Sequence, residues 1–393
     1  MDTTLVIWLL AGLAALLVMM IVVVAIARSM DSGRPAIKAS LPEPLARSLG
    51  LTTEASETPN SSGDDSDQKK KQTKAFFSII AAIAAIIGLV SFAKGFNDGD
   101  IMPAVSELSA GQLRGTLVNV RNSDPVVLIV PGSGPTDRDG NGPLGLKTNA
   151  YKLLADALAE EGIASVRVDK RGMFASAGAG DPNAVTPAAY VADYHAWIDA
   201  IKAERGSDCV WLLGHSEGAL MVSLAAEGRE DVCGLILVSG MGRTMGAVIR
   251  EQLRANPANA PILDEALAAL SELEAGRRVD TTSMTPALLS LFAPQVQDYL
   301  ISIINIDPVE AVQRANKPTL VIQGTTDLQV TVEDARLLNK ARRTTLKLID
   351  GMNHVLKEAP AEPAANLATY ADPSLPLAPK LVSRIKDFIE DHD

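Results

Sequence analysis

The sequence predicts an α/β fold in which a mostly parallel sheet is covered by helices on both faces. From about residue 102 to the end of the chain, strand patterns and helix patterns alternate. The strand patterns are short, continuously apolar runs, as expected of strands that are buried on both faces. One of these runs leads directly into a Gly-x-Ser-x-Gly pentapeptide, and a helical pattern follows it at once.

Length and charge limit the classes of function. With 393 residues, the chain is long enough for two average domains, or for one large α/β domain with appendages. The net charge is −11 and the globular part has no basic cluster, so nucleic acid is not expected as a partner. Mean hydropathy is +0.15, which is high for a soluble enzyme, and two N-terminal segments account for it.

Residues 5–27 and 75–93 carry no charged side chain. At about 1.5 Å per residue, the first segment reaches across a hydrocarbon core of roughly 30 Å, and the second is just long enough. Both are apolar on every side, which disfavours buried core helices. The sequence therefore predicts a transmembrane helix with a short tail at 1–27, a disordered linker at 28–74 and a second transmembrane helix at 75–93.

Basic residues between the two apolar segments predict the orientation. Under the positive-inside rule the linker is cytoplasmic, so residues 94–393 lie on the periplasmic or extracellular side of the cell membrane. A second interpretation is that the lysines at 69–71 and the following apolar run form a signal peptide, with a cleavage site at Ser91-Phe92-Ala93. Both interpretations export the C-terminal domain, and they differ in whether it stays tethered.

Two cysteines, Cys209 and Cys233, each begin an apolar strand pattern. If these strands are parallel neighbours, their starts lie about 5 Å apart, within reach of a disulfide. Buried free thiols are the alternative, because cysteine is also a common small core residue.

The elements of residues 94–393 are predicted in chain order from their apolar patterns. Continuous apolar or β-favouring runs indicate strands, and apolar faces at helical spacing indicate helices. The predicted strands cover 112–120, 125–131, 162–169, 209–214, 234–239, 319–323 and 345–349, and the helices cover 150–161, 187–205, 219–226 and 377–391.

Residues 241–318 interrupt the alternation. They contain no convincing strand, and helical runs at 246–255, 262–274, 285–291 and 294–304. An insertion of this size between two strands predicts a helical cap over the strand ends. The alternative is crossover helices with a long loop, although such connections usually need fewer residues.

Ser216 is the candidate nucleophile. In Gly214-His215-Ser216-Glu217-Gly218, a tight turn between a strand and a helix exposes the serine hydroxyl in a strained conformation. The helix N-terminus behind it favours a developing anion. A single Gly-x-Ser-x-Gly is a weak signal, so the serine needs a base and an acid.

The base and the acid follow by elimination. Of the four histidines, His354 alone lies in a glycine-bearing loop just beyond a predicted strand, where α/β sheets carry their chemistry. Asp327 follows the preceding strand in the same way and is the candidate acid. Asp350 is the alternative, but it lies before the turn and close in sequence to His354, a position that favours a role in ending the strand.

An oxyanion needs two N–H donors. The backbone of Glu217, which follows the nucleophile, is one candidate, and the glycine-rich loop at 131–142 supplies the other. We favour the N–H of Ser133, with Gly134 second. The loop lacks the phosphate-binding glycine patterns. No cofactor and no metal site are predicted, because the histidines are scattered and the cysteines lack close pairing.

From about residue 102 to its end, the chain resembles the α/β-hydrolases of the esterase and serine-aminopeptidase-like branch. The resemblance rests on five segments in order, at 131–138, 169–172, 214–218, 324–327 and 353–354. It implies a mostly parallel sheet, a helical cap after the strand that ends near Gly240, adjacent cysteine strands, and hydrolysis through an acyl-enzyme. Pro131 departs from the histidine of many relatives, and only 112–120 is left to supply the family's extra first strands.

The expected function is hydrolysis of a carboxylic ester by a serine esterase acting on a small acyl substrate. Ser216, His354 and Asp327 form the expected triad. A peptidase or amidase of the aminopeptidase type is the first alternative, provided that the Glu217 carboxylate faces the cleft. An acyltransferase acting on envelope lipids or glycans is the second. Oligomeric state is not predicted.

Overall fold

The computed structural model describes residues 103–120, 125–143 and 145–392. Within them, one sheet of eight strands has the order β1-β2-β4-β3-β5-β6-β7-β8. The strands are β1 Ala104–Ala110, β2 Leu113–Asn119, β3 Val126–Val130, β4 Ala164–Val168, β5 Val210–His215, β6 Val232–Val238, β7 Thr319–Gly324 and β8 Thr344–Ile349. Strand β2 pairs antiparallel with β1 and β4, and the other pairings are parallel. The predicted fold class is confirmed.

Helices lie between the parallel strands and after the last one. In the described residues they are α1 Ala150–Glu160, α2 Pro187–Arg205, α3 Glu217–Ala226, α4 Met245–Ala255, α5 Leu263–Glu274, α6 Leu289–Phe292, α7 Pro294–Ile303, α8 Pro308–Ala315, α9 Val332–Leu338, α10 Pro363–Ala368 and α11 Leu381–Glu390. Short 3-10 helices cover Phe174–Ala179, Pro257–Asn259, Pro286–Leu288 and Thr369–Ala371.

The central strands β3 and β5 are largely apolar because both of their faces are covered. In β3, Leu128 belongs to the core on one side of the sheet, and its neighbour Ile129 belongs to the core on the other side. The same alternation holds in β5 for Leu212 and Leu213. Side chains alternate between faces along a strand, so a sheet between two helical layers needs apolar residues throughout.

The first two strands differ from the expectation of a single strand at 112–120. The structure has a hairpin, β1 with β2, that turns at Gly111, whose φ of 63° is easy for glycine. Strand β1 escaped prediction because most of its side chains are exposed, so it lacks the apolar signal of a buried strand. The hairpin adds the two antiparallel strands before the parallel part of the sheet.

Residues 241–318 form no strand between β6 and β7, both of which belong to the described part of the chain. Helices α4, α5 and α7 lie close to their predicted positions, whereas α8 was not predicted. The predicted run at 285–291 is divided between a 3-10 turn and the short helix α6. Helices α4 and α7 line a cavity together with Ser216.

The predicted membrane segments at 5–27 and 75–93, and the linker between them, lie outside the described residues. Among the residues that the structure does describe, no helix combines the length and apolar character needed to cross a membrane. The structure joins Cys209 and Cys233 by a disulfide, with their Cα atoms 5.3 Å apart, at the amino-terminal ends of the adjacent strands β5 and β6.

Candidate active site

The turn between β5 and α3 holds Ser216 in an unusual backbone conformation. Its φ is 56° and its ψ is −123°, a region that residues with a side chain rarely occupy. The turn is so tight that a Cβ on Gly214 would lie 2.2 Å from the Gly218 carbonyl oxygen. A Cβ on Gly218 would lie 2.6 Å from the Val130 oxygen, so both positions require glycine.

His354 and Asp327 meet beyond the carboxyl ends of β8 and β7. The distance from His354 Nδ1 to Asp327 Oδ2 is 2.9 Å, and the distance to Oδ1 is 3.2 Å. Both side chains are buried, with 7% of His354 and 0% of Asp327 exposed. With Nδ1–H donating to the carboxylate, Nε2 is the ring nitrogen left to accept a proton.

Asp327 is held in its ionised form. Burial alone raises the pKa of this carboxyl, but the charge and hydrogen bond of His354 and the N–H groups of Val330 and Gln329 together lower it. Those two N–H groups donate to Oδ1 at 3.0 Å and 2.8 Å. The carboxylate therefore remains an acceptor at neutral pH and fixes the tautomer of the imidazole.

Ser216 and His354 line one cavity, which the structure also bounds with Tyr151, His215 and Tyr370. Within the described residues, the Ser216 hydroxyl and His354 Nε2 make no hydrogen bond with each other. Catalytic hydrogen bonds are often long before substrate binds and shorten in the complex. Ser216 thus shares a cavity with His354, whose Nε2 is the ring nitrogen that Asp327 leaves unbound.

The two backbone amides that are candidates for binding an oxyanion belong to residues that border a cavity with Ser216. Glu217 is the first residue of α3, and Ser133 lies in the loop after β3. Neither amide donates a hydrogen bond inside the described part of the protein, and both residues line a cavity with Ser216. A Cβ on Gly132 would lie 2.9 Å from Ser216 Cβ, so this glycine lets the loop approach the nucleophile closely.

His215 is buried and uncharged, and it links two loops of the site. Burial lowers its pKa to about 3, so the ring is neutral at physiological pH. Its Nε2 lies 2.7 Å from the carbonyl oxygen of His354 and therefore carries the proton. Its Nδ1 accepts from the Tyr151 hydroxyl at 2.8 Å, and that oxygen accepts from Gly132 N–H at 3.3 Å.

The Glu217 carboxylate faces the cleft, which the sequence left open. It accepts hydrogen bonds from Tyr299 of α7 at 2.7 Å and from the Ser133 hydroxyl at 2.9 Å. Lys170 lines the same cavity, and its Nζ donates to the Gly132 carbonyl oxygen at 2.7 Å. The roles of Tyr151, Lys170 and Tyr299 had no sequence signal, because their contacts join segments far apart in the chain.

The remaining candidates have structural partners. Asp350 is exposed and accepts from the Thr325 hydroxyl, and His195 contacts the carbonyl oxygen of Ala225 in α3. Charged side chains of the segments at 131–138 and 169–172 form ion pairs, Arg138 with Asp169 and Arg171 with Asp193. The part of the chain that the structure describes has no group of three or more histidine, cysteine, aspartate or glutamate side chains arranged to hold a metal.

Two cavities meet at Ser216. One measures about 950 Å³, counting space open to solvent, and is lined mainly by apolar side chains of α4, α7 and neighbouring loops. The other measures about 520 Å³ on the same basis and contains His354. Ser133, Ser216 and Gln329 border both.

Comparison with known proteins agrees with this architecture. Residues 144–286 match the family model described as serine aminopeptidase, S33. Esterase EstD of Thermotoga maritima is 28% identical over 240 residues, which cover 59% of this chain and 54% of that protein. The chain thus spans about half the length of this curated relative.

Solved structures of similar topology include the alpha/beta hydrolase GrgF from Penicillium sp. sh18, at a TM-score of 0.48 and 19% identity over 74% of this chain and 99% of that chain. An esterase of Pyrococcus furiosus has a TM-score of 0.49 and 15% identity over 74% of this chain and 91% of that chain. The sheet order and the elbow carry the fold assignment. The chain therefore has the α/β-hydrolase fold, and over part of its length its sequence is similar to the serine aminopeptidase family and to an esterase.

Proposed function

We propose that the protein is a serine hydrolase that cleaves a carboxylic ester through an acyl-enzyme. Ser216 is the nucleophile, His354 the general base, and Asp327 the acid that orients the imidazole. One observation carries this proposal: the serine of the strained elbow and a histidine bound to a buried carboxylate line the same cavity.

In the proposed reaction, His354 Nε2 takes the Ser216 proton while Oγ attacks the carbonyl carbon of the ester. The oxyanion accepts from the N–H groups of Ser133 and Glu217. Collapse of this intermediate breaks the bond to the leaving alkoxide, which takes the proton from His354. Water then attacks the acyl-enzyme with His354 again as base, and the carboxylic acid leaves. No step needs a cofactor.

The two cavities can each bind one part of the ester substrate. His354 must protonate the leaving oxygen, and it lines only the smaller of the two cavities. We therefore assign the alcohol to that cavity and the acyl group to the larger, apolar one beneath α4 and α7. An apolar pocket of this kind favours a hydrocarbon acyl chain over a charged one.

A peptidase or amidase of the aminopeptidase type is the second candidate, because the Glu217 carboxylate lines the acyl cavity. A carboxylate there can bind a substrate ammonium group. However, each of its oxygens already accepts a hydroxyl hydrogen bond, from Tyr299 or Ser133, so about half of the acceptor capacity of the carboxylate is taken. We therefore favour the ester.

A substrate panel separates these candidates. We expect p-nitrophenyl esters of increasing acyl length to be turned over with at least about 100-fold greater acceleration than aminoacyl p-nitroanilides, each relative to its uncatalysed rate. A greater acceleration of the anilides would favour the amidase, provided that Glu217→Gln loses the anilide activity and keeps the ester activity. If an added alcohol receives most of the acyl groups and forms a new ester, the result would support the acyltransferase alternative and contradict simple hydrolysis.

We also propose that residues 94–393 are exported and held at the membrane by the N-terminal apolar segments. The distribution of basic residues and the disulfide support this, since disulfides persist in oxidising compartments. Protease added to cells with a permeabilised outer envelope but an intact inner membrane is expected to degrade this domain. Protection until the inner membrane is lysed would contradict export. A mature N-terminus near residue 94 would show that the tether is cleaved.

A further inference from the structure

Lys170 is a buried lysine that the proposed reaction does not use. It follows β4, is 5% exposed and borders the acyl cavity. Its Nζ donates one hydrogen bond, of 2.7 Å, to the carbonyl oxygen of Gly132. Burying an ammonium group is costly, so a cation in this position calls for a physical account.

The carbonyl of Gly132 belongs to the same peptide unit as the N–H of Ser133. A trans peptide is planar, and its C=O and N–H point in opposite directions. The described residues contain no cis peptide bond. A donor that fixes the Gly132 oxygen therefore also fixes the direction of the Ser133 N–H, the candidate oxyanion donor.

We infer that Lys170 is a positioning residue that orients and polarises the Ser133 amide of the oxyanion hole. A positively charged donor on a carbonyl oxygen draws electron density from the peptide and strengthens its N–H as a donor. The inference rests on the proposed function, because the amide matters only if an oxyanion forms there.

Neighbouring contacts hold the same segment from other sides. The Gly132 N–H donates to the Tyr151 hydroxyl, and the Ser133 hydroxyl donates to Glu217. The first bond fixes the peptide that precedes Gly132, and the second holds the Ser133 side chain. Among the residues that the structure describes, Lys170 is the one that bonds the peptide between Gly132 and Ser133. Removing it frees that peptide to rotate without unfolding the loop.

The charge of Lys170 depends on pH. Burial lowers its pKa to about 8, and the Glu217 carboxylate opposes this shift. The tyrosines Tyr190 and Tyr299, which line the cavity, are neutral because burial raises their pKa values. The flanking charges are paired elsewhere, as Asp169 with Arg138 and Arg171 with Asp193. Lys170 is thus a cation below about pH 8 and loses its charge above it.

Lys170→Met tests the inference. We expect kcat on a short p-nitrophenyl ester to fall roughly 10- to 100-fold, somewhat less than the roughly 100- to 1000-fold for losing an oxyanion donor outright. KM should change little, because the acyl cavity stays apolar. Lys202→Met is the matched control: its Nζ donates to Asp231 at 2.9 Å, next to the amino-terminal end of β6, and kcat should stay within about twofold.

Two measurements exclude a merely structural role. In the wild type, kcat should fall to a lower plateau as pH rises above about 8, since the neutral amine still donates but no longer polarises the peptide. In Lys170→Met, kcat should not show this fall above about pH 8, which is the alkaline limb of the pH profile. A trifluoromethyl ketone, which forms an oxyanion on Ser216, should bind the variant more weakly by the same factor as the loss in kcat/KM, whereas affinity for the product acid should stay unchanged.

Wild-type kcat in Lys170→Met would overturn the inference, as would a loss confined to KM or an alkaline limb that persists in the variant. If the variant does not fold, the wild-type profile still decides, because a constant kcat between pH 7 and 10 contradicts the role. A wild-type protein that neither hydrolyses esters nor binds the ketone would instead contradict the proposed function. The two failures are therefore distinguishable.

Discussion

Ser216→Ala is expected to lower kcat for p-nitrophenyl butyrate by roughly 10⁴-fold or more, with unchanged thermal stability. The substitution removes the only atom that attacks the ester, and what remains comes from the oxyanion hole and binding. Alanine keeps the Cβ, so the strain at a φ of 56° is the same in both proteins. Stopped assays of kcat together with thermal melts measure both quantities.

Ser239→Ala is the matched control for this substitution. Ser239 follows β6, the strand beside β5, and also has a positive φ, of 52°. Its hydroxyl is buried and has no hydrogen-bond partner among the described residues. We expect activity within about twofold of the wild type. Equal losses in the two variants would mean that disturbance of this sheet edge, and not loss of a nucleophile, explains the effect.

Asp327→Asn is expected to lower kcat by about 10⁴-fold while KM changes little. The amide keeps an oxygen for the N–H groups of Gln329 and Val330, so the local fold should persist. It places no negative charge beside His354 Nδ1, so the wrong tautomer is favoured and the imidazolium that forms during reaction is not stabilised. Steady-state kinetics with a circular-dichroism control measures this.

Asp350→Asn controls for the loss of an aspartate near His354. Asp350 is the other aspartate that the sequence offers, but it is exposed and accepts from Thr325 at 3.0 Å. Activity should therefore be retained. A large loss in Asp350→Asn with little loss in Asp327→Asn would reverse the assignment of the acid and contradict the role of the buried carboxylate.

Much of the fold could be predicted because its central strands carry a strong and simple signal. Strands such as Val126–Val130 are apolar at every position, since helices cover both faces of the sheet. The edge strand Ala104–Ala110 lacks this signal. One exposed edge removes the need for apolar side chains, and with it the pattern that sequence analysis detects.

The candidate triad could be predicted because each residue follows a strong strand in a short loop. Parallel strands bring their carboxyl ends to one edge of a sheet, so residues 111 and 27 positions apart in sequence, Ser216 to Asp327 and Asp327 to His354, can be expected to meet. The side-chain directions are a different matter. Whether the Glu217 carboxylate faces the cleft depends on the helix that packs over it, and only the structure gives that contact with Tyr299.

The supporting contacts could not be predicted at all. Tyr151 in α1, His215 in the elbow and Lys170 after β4 reach Gly132 or His354 through single hydrogen bonds between distant segments. No period or spacing in the sequence encodes such a bond. Their shared effect is to hold the loop after β3 and the loop after β8 in fixed positions around Ser216.

Identifying the residue that a fluorophosphonate modifies is the most direct test of the convergence of Ser216, His354 and Asp327. Mass mapping of the labelled wild type is expected to find one adduct, on Ser216, at a rate that falls steeply in His354→Gln and in Asp327→Asn. An adduct on another residue, or a labelling rate that these two substitutions leave unchanged, would contradict the triad.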